Sequence, residues 1–348
     1  MRFSILLTTV IALVCMTAPA EMQVSAGGLV GRSKPCSAEI QRLINENPNR
    51  EIYFPDGTYL LDQPICTPAD PKRSVSLRLS NYARFVAVKS WTNREAMVRL
   101  GAIHAANDID TPGSWYWLKG GIIDGSGVAN GVSIDGGRET LVADVSMKNV
   151  HVGLRIKFGA NSGSSDADVR NVNIVGNGAV DSIGVLIEGF DNTLQNMRIA
   201  NVMRGLVIYG GGTSLRDIHP LFVGDWKYYD QSIGFDIYAK DVFGDYCYSD
   251  QFATGFRFNK GAGGVFEKSF CFWYRSAKEM KHVAFESVET FDAQMNNPTI
   301  WFKEAKAQNA LLKVGKAGGQ GFLRDPRFNT EFVNDPKSVH NDYLRRTR

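Results

Sequence analysis

Several signatures are missing from this sequence. It contains no HExxH, no paired CxxC, no Walker loop, no GxGxxG fingerprint and no GxSxG elbow. Zinc, nucleotide, nicotinamide and serine-esterase chemistry therefore lack support. Neither sign of charge dominates: 39 Lys+Arg face 36 Asp+Glu, without a long basic run. That argues against a nucleic-acid partner. Charged residues are 22% and hydrophobic ones 44% of the 348 residues, which excludes a largely disordered chain. No long apolar run follows residue 20, so no membrane partner is expected after that point.

What is present begins with a leader. Residues 1–20 read MRFSILLTTVIALVCMTAPA: a basic start, an apolar core too short to span a bilayer, and Ala18-Pro19-Ala20 before a cut. The expectation is a signal peptide cleaved after Ala20 and a secreted or periplasmic chain. A lipoprotein modified at Cys15, after an ill-suited Val14, and a buried N-terminal helix are the competing readings. The remaining cysteines, Cys36, Cys66, Cys247 and Cys271, are even in number. In an exported chain they suggest two disulfides, 36–66 and 247–271, among three pairings.

Glycine is abundant, 35 residues, and it marks a repeat. Gly-apolar-x-apolar recurs at Gly131 (GVSI), Gly153 (GLRI), Gly184 (GVLI), Gly205 (GLVI), Gly234 (GFDI) and Gly255 (GFRF), and His282 (HVAF) continues it. A second alternating pattern starts at Asp144, Asn171, Asn196, Asp217, Asp245 and Ser269. Period-two alternation means strands with one buried face. Units of about 21–22 residues with two or three strands predict an all-β chain, a single-stranded parallel β-helix whose coils bury their apolar faces on each other. Cys36–Asn47, with Ile40, Leu43 and Ile44 at helical spacing and Ser37 as N-cap, is expected to form an α-helical cap. The division is a leader at 1–20, a capping segment at 21–50, the β-helix at 51–305 and a polar tail or second cap at 306–348.

The stretch IYFPDGTYLL after that helix resembles the N-terminal signature of the pectate-lyase-like right-handed β-helix superfamily. Asn130–Ile134 and Gly153-Leu154-Arg155-Ile156-Lys157 resemble parts of the polygalacturonase family. The second corresponds to its Arg-Ile-Lys substrate motif. The Asn-Thr-Asp and Asp-Asp catalytic motifs of that family have no counterpart, and Asn130 replaces its histidine. The resemblance implies a polysaccharide-active scaffold without simple polygalacturonase chemistry.

Stacking the Gly-strands predicts two outward rows. The first is Ser133, Arg155, Leu186, Val207, Asp236, Arg257 and Ala284. The second is Asp135, Lys157, Glu188, Tyr209, Tyr238, Asn259 and Glu286. Asp135 and Glu188, two coils apart, are expected to stand about 9.6 Å apart with Lys157 between. That separation suits an inverting glycosidase, with Asp236 a further carboxylate. Arg155 and Lys157 suit a uronate carboxylate. Two long insertions, 159–168 and 221–232, are expected to wall a groove floored by Lys157, Glu188, Tyr209 and Tyr238. Trp226, Tyr228 and Tyr229 offer rings that stack on sugars, or that pack the loop down. Arg257 joins the binding residues. His219 points out on another sheet near Arg198, either a proton-transfer group or a surface histidine. No cofactor is called for. Calcium is left open by Asp225 and Asp230, at a spacing that is not diagnostic.

The function expected is an exported enzyme cleaving an acidic, uronate-containing polysaccharide by β-elimination or hydrolysis. A non-catalytic polysaccharide-binding surface protein and a uronate C5-epimerase are the alternatives.

Overall fold

The computed structural model describes residues 23–103, 116–159, 162–275, 280–303, 308–329 and 343–345. The expected leader and most of the segment beyond 329 lie outside the described residues.

The Gly-strands do stack. Val152–Ile156, Ile183–Ile187, Arg204–Ile208, Ile233–Ile237 and Thr254–Phe258 belong to one ten-stranded parallel sheet running from Ile65–Pro68 to Gln308–Val314. Its inward positions Val132, Leu154, Val185, Leu206, Phe235, Phe256 and Phe285 are fully or almost fully buried. Phe235 and Phe256 stack at 4.5 Å and 5°. This is alternation converted into a core, since each coil contributes one apolar column and buries it on the next. The glycines themselves are needed for contact between coils. A Cβ at Gly153 would meet the Gly184 carbonyl oxygen at 2.6 Å, and one at Gly184 the Gly205 oxygen at 2.5 Å.

A second sheet of 21 strands bends around the other two faces of the prism. The long strands Asp168–Gly176, Thr193–Ala200 and Thr213–Leu221 run through the bend. There, Asp144, Asn171, Asn196, Asp217, Tyr246, Lys268, Asn297 and Asp325 have φ between 47° and 60°. Asn and Asp enter this left-handed region most readily because their short side chains bond locally. Asn196 donates to Asn171 and Asn171 to Asp144, both at 2.9 Å. Four of the positions that begin the second sequence pattern, Asp144, Asn171, Asn196 and Asp217, are thus corners between two faces, called here the second (before the corner) and the third (after it). In the next two coils the corner is Tyr246, one residue after Asp245, and Lys268, one residue before Ser269.

Four expectations need correction. His282 does not replace the repeat glycine: Phe256 pairs with Phe285 and Arg257 with Glu286, and Gly255 packs on Ala284. Glu286, not Ala284, therefore continues the first row. The stack also extends past residue 305. Gln308–Val314 pairs with Lys281–Ser287, and Phe322–Arg324 with Asp292–Asn296, because Leu311, Leu312 and Leu323 supply another buried column. The helix, α1, spans Ser37–Glu46 and buries Ile40 and Ile44, but its N-cap position is Cys36. The Ser37 hydroxyl instead accepts the Asp62 N–H at 3.0 Å.

The fourth correction concerns the disulfides. Cys36, Cys66, Cys247 and Cys271 are all free. Cys271 is in register with Ser249, not Cys247, and both thiols are buried inside the helix rather than displayed on its surface. Cys66 sits in the outward row beside Arg99.

Candidate functional site

The outer face of the ten-stranded sheet carries the two rows. Register fixes the first as Arg99, Ser133, Arg155, Leu186, Val207, Asp236, Arg257 and Glu286. The second continues the same ladder. The N–H of Asp135, Lys157, Glu188, Tyr209, Tyr238 and Asn259 each donates to the carbonyl of the preceding coil. Lys157, Glu188, Tyr209 and Tyr238 thus occupy successive coils, as their spacing predicted.

Their partners differ from expectation. Arg155 grips Glu188 with two bonds of 3.0 and 2.8 Å. Lys157 turns the other way, to Glu95 at 2.8 Å and Asp135 at 3.5 Å. Asp135 is further held by the Arg99 guanidinium and the Ser133 hydroxyl. The row of alternating carboxylates with a lysine between them is thus two separate ion-pair groups. Glu95, Arg99 and Arg204 were not singled out from sequence. Arg99 sits in an apolar-Arg-apolar run (VRL) like that of Arg155 and Arg257, but its coil lacks the marker glycine.

Burial sorts the carboxylates further. Asp236 is 0% exposed under Arg204 at 3.2 Å and Asn259 at 2.7 Å. Asp135 is 2% exposed. Neither presents an open carboxylate at the surface. Glu188 reaches the surface, and Arg257 does so while paired with Glu286 at 2.7 Å. The Lys157 hydrogen bond is the main cause holding the Glu95 carboxyl below its ordinary value.

Beside these pairs lies an aromatic platform. Tyr209 and Tyr238 stack at 4.4 Å and 24°. Tyr209 is 49% exposed. Partial burial, then the neighbouring Tyr238 phenol, raises the Tyr209 phenol above its ordinary value, so it is protonated at neutral pH.

The long loops behave differently from each other. Phe158–Gly159 folds back on Ser162–Ser165 as a short antiparallel pair, and Phe158 meets Phe190 edge-on at 4.6 Å. In the other loop Trp226–Gln231 is a 3-10 helix. Tyr229 is buried, and its phenol meets His282 Nδ1 at 2.6 Å. It packs the loop onto the stack and offers no ring to a sugar. Trp226 is half-buried against Phe222 and Tyr229, with the Arg275 guanidinium 4.2 Å from its ring centre. Tyr228 is also partly buried against the core. Asp225 caps this helix through the Lys227 N–H at 3.0 Å. Among the described residues, no group of three His, Cys, Asp or Glu side chains could hold a metal ion.

His219 lies on the third face, beside Arg198 in register. Its Nε2 is 3.3 Å from Asp250, and its ring stacks on Tyr248 at 4.0 Å. Tyr248 donates to the same carboxylate oxygen at 3.1 Å. This cluster is apart from Lys157 and Glu188.

No family model matches the chain, and no curated protein matches it. Solved structures do. An alginate lyase from Paenibacillus sp. str. FPU-7 superposes with TM-score 0.57 at 12% identity, covering 88% of this chain and 99% of the other. The catalytic domain of a GH87 α-1,3-glucanase, solved with tetrasaccharides, gives 0.53 at 11%, covering 95% and 69%. The tailspike of E. coli bacteriophage HK620 gives 0.53 at 11%, covering 89% and 67%. At these identities the likeness is one of fold, and the fold of this chain is the right-handed parallel β-helix.

Proposed function

We propose that this chain is an exported protein that binds an acidic, uronate-containing polysaccharide along the outer face of the ten-stranded sheet and cleaves it by β-elimination. The observation that carries the reading is the exposed, protonated Tyr209 on the coil next to the Arg155–Glu188 pair. A chain substrate crosses several coils of such a face, and the stacked tyrosines give it a flat apolar surface. The alginate lyase supports an acidic polysaccharide as the substrate, and the glucanase with its tetrasaccharides supports a glycan chain on this fold.

In this reading the uronate carboxylate competes for Arg155 and Lys157. Neutralising it acidifies the proton on the adjacent carbon. Arg155 then releases Glu188, which takes that proton as base. The electron pair forms the new double bond, the glycosidic bond breaks, and Tyr209 protonates the leaving oxygen. Hydrolysis fits less well. It needs two carboxylates facing the substrate, one of them protonated. Of Asp135, Glu188 and Asp236 only Glu188 is accessible, and each is gripped by arginine.

Binding without turnover is the second reading, favoured by the completeness of the ion pairs on this face. The test is incubation with polyuronates and neutral glucans, followed by ultraviolet absorbance of the conjugated product and by reducing ends. Both signals rising together supports elimination, and reducing ends alone means hydrolysis. Affinity without either signal leaves the binding protein.

A further inference from the structure

The second face carries a row that the first face does not explain. Strand register places Tyr53, Arg78, Lys119, Ala143, Arg170, Gln195 and Arg216 on successive coils in one outward line. Four of the seven are cations and none is an acid. The sign reverses at the next two coils, Asp245 and Glu267.

These cations are held loosely. Arg78 lies 3.8 Å from Glu51, Arg170 3.8 Å from Asp168 and Arg216 3.8 Å from Asp245. Their side chains are 58%, 50% and 62% exposed. On the ten-stranded sheet the Arg155–Glu188 and Arg257–Glu286 pairs close to 2.8 and 2.7 Å. Exposed pairs at the longer distance contribute little, so an anionic ligand displaces them at small cost.

The row also starts in a recess. Tyr53, Arg78, Lys119, Ser80, Asn81 and Asp144 line a hollow of about 580 Å³. Trp117 lines an adjoining one of about 370 Å³, with Lys119 Nζ 4.6 Å from its ring centre. Aromatic rings beside cations, hydroxyls and an amide suit an anionic sugar. Two acids also line the larger hollow: Glu51, which lies 3.8 Å from Arg78, and Asp144, which accepts from Asn171.

Spacing identifies the class of ligand. Lys119, Arg170 and Arg216 recur every second coil, about 9.6 Å apart along the axis. An extended two-fold glycan turns the carboxylate of every second sugar to the same side. We infer that the second face is a separate binding site for a polyanionic polysaccharide lying along the helix axis from the Trp117–Tyr53 recess to Arg216. This rests on the reading of the chain as a protein of acidic polysaccharides. It adds an anchoring surface away from the face proposed for cleavage.

Affinity electrophoresis in gels containing polygalacturonate, with hydroxyethylcellulose as the neutral polymer, tests it. The variant Arg78→Ala/Arg170→Ala/Arg216→Ala is compared with Lys148→Ala/Lys260→Ala/Lys316→Ala, which removes the same charge away from the row. The expected result is at least a fivefold weaker apparent affinity for polygalacturonate in the arginine variant and less than twofold in the lysine variant. Equal losses in both, or an arginine variant within twofold of wild type, overturn the inference. The Arg155→Ala/Lys157→Ala variant in the same gel reports the first face independently. Loss of binding there alone removes the second site and leaves the cleavage reading standing. An effect of the arginine row in a protein without turnover removes the cleavage reading and leaves this site.

Discussion

Tyr209 and Tyr238 stand on adjacent coils with ring centres 4.4 Å apart and planes within 24° of parallel. The pair is an exposed edge of a stack that the register of two parallel strands enforces. A sugar meets it without rearranging the sheet.

Tyr209→Ala should weaken binding of polyuronate about tenfold, the loss of about 1.4 kcal/mol of contact. Because the side chain is half exposed, the melting temperature should barely move. Tyr209→Phe should keep the affinity and lose turnover, since it keeps the ring and removes the proton. Calorimetric titration beside a rate assay separates the two, and turnover in Tyr209→Phe equal to that of the wild type would remove the phenol from the chemistry.

Asp135→Asn should be costly in a way Glu188→Gln is not. Asp135 is buried and anchors Arg99 and Lys157, and breaking such a pair from one side costs about 3 kcal/mol. Glu188 is more exposed and opposes one arginine. Denaturant unfolding should show a lower midpoint for the first variant and a midpoint near wild type for the second.

Acid should loosen the loop that starts the Tyr229–His282 contact. Burial depresses the His282 imidazole to about 3 from an ordinary 6.5. Between those values the unfolded chain binds a proton that the folded chain refuses, so stability falls as pH drops from about 6.5 toward 3. The melting temperature should decline across that window. In His282→Phe the slope should be shallower, even though the variant starts lower for want of the Tyr229 hydrogen bond. An unchanged slope would rule His282 out as its source.

Gly184→Ala should destabilise the stack by about 2 kcal/mol. Its Cβ would press on the Gly205 carbonyl oxygen at 2.5 Å and on Ile199. Gly211→Ala, with open space around its Cβ position, is the matched control. Equal unfolding midpoints for the two would contradict the role assigned to the glycine column.

The free thiols are checked by mass. Alkylation of the native chain should label Cys247 and Cys271 last, since both are fully buried and burial raises both thiols. Under denaturant without reductant all four described cysteines should be modified. Two pairs resistant until reduction would show that disulfides form after all.

Much of this protein was written in local sequence. Period-two alternation makes strands, glycine at a fixed phase lets coils approach, and Asn or Asp at the corners enters the left-handed region. These are short-range effects, so the ten-stranded sheet and its second row, from Lys157 to Tyr238, were legible before any coordinates. The frame failed at His282, where the marker glycine becomes Ala284 and only pairing with Arg257 places Glu286. Tertiary structure alone decided which charges met. Glu95 lies 62 residues from Lys157 yet takes its ammonium, and Arg155 chose Glu188 across one coil. Side-chain reach and burial at the outer surface set those choices, and neither has a period in sequence. The same holds for Tyr229, whose ring could as well have faced a sugar until the loop folded it onto His282, and for Cys247 and Cys271, which corners at Tyr246 and Lys268, each one residue from the expected position, turned into core thiols.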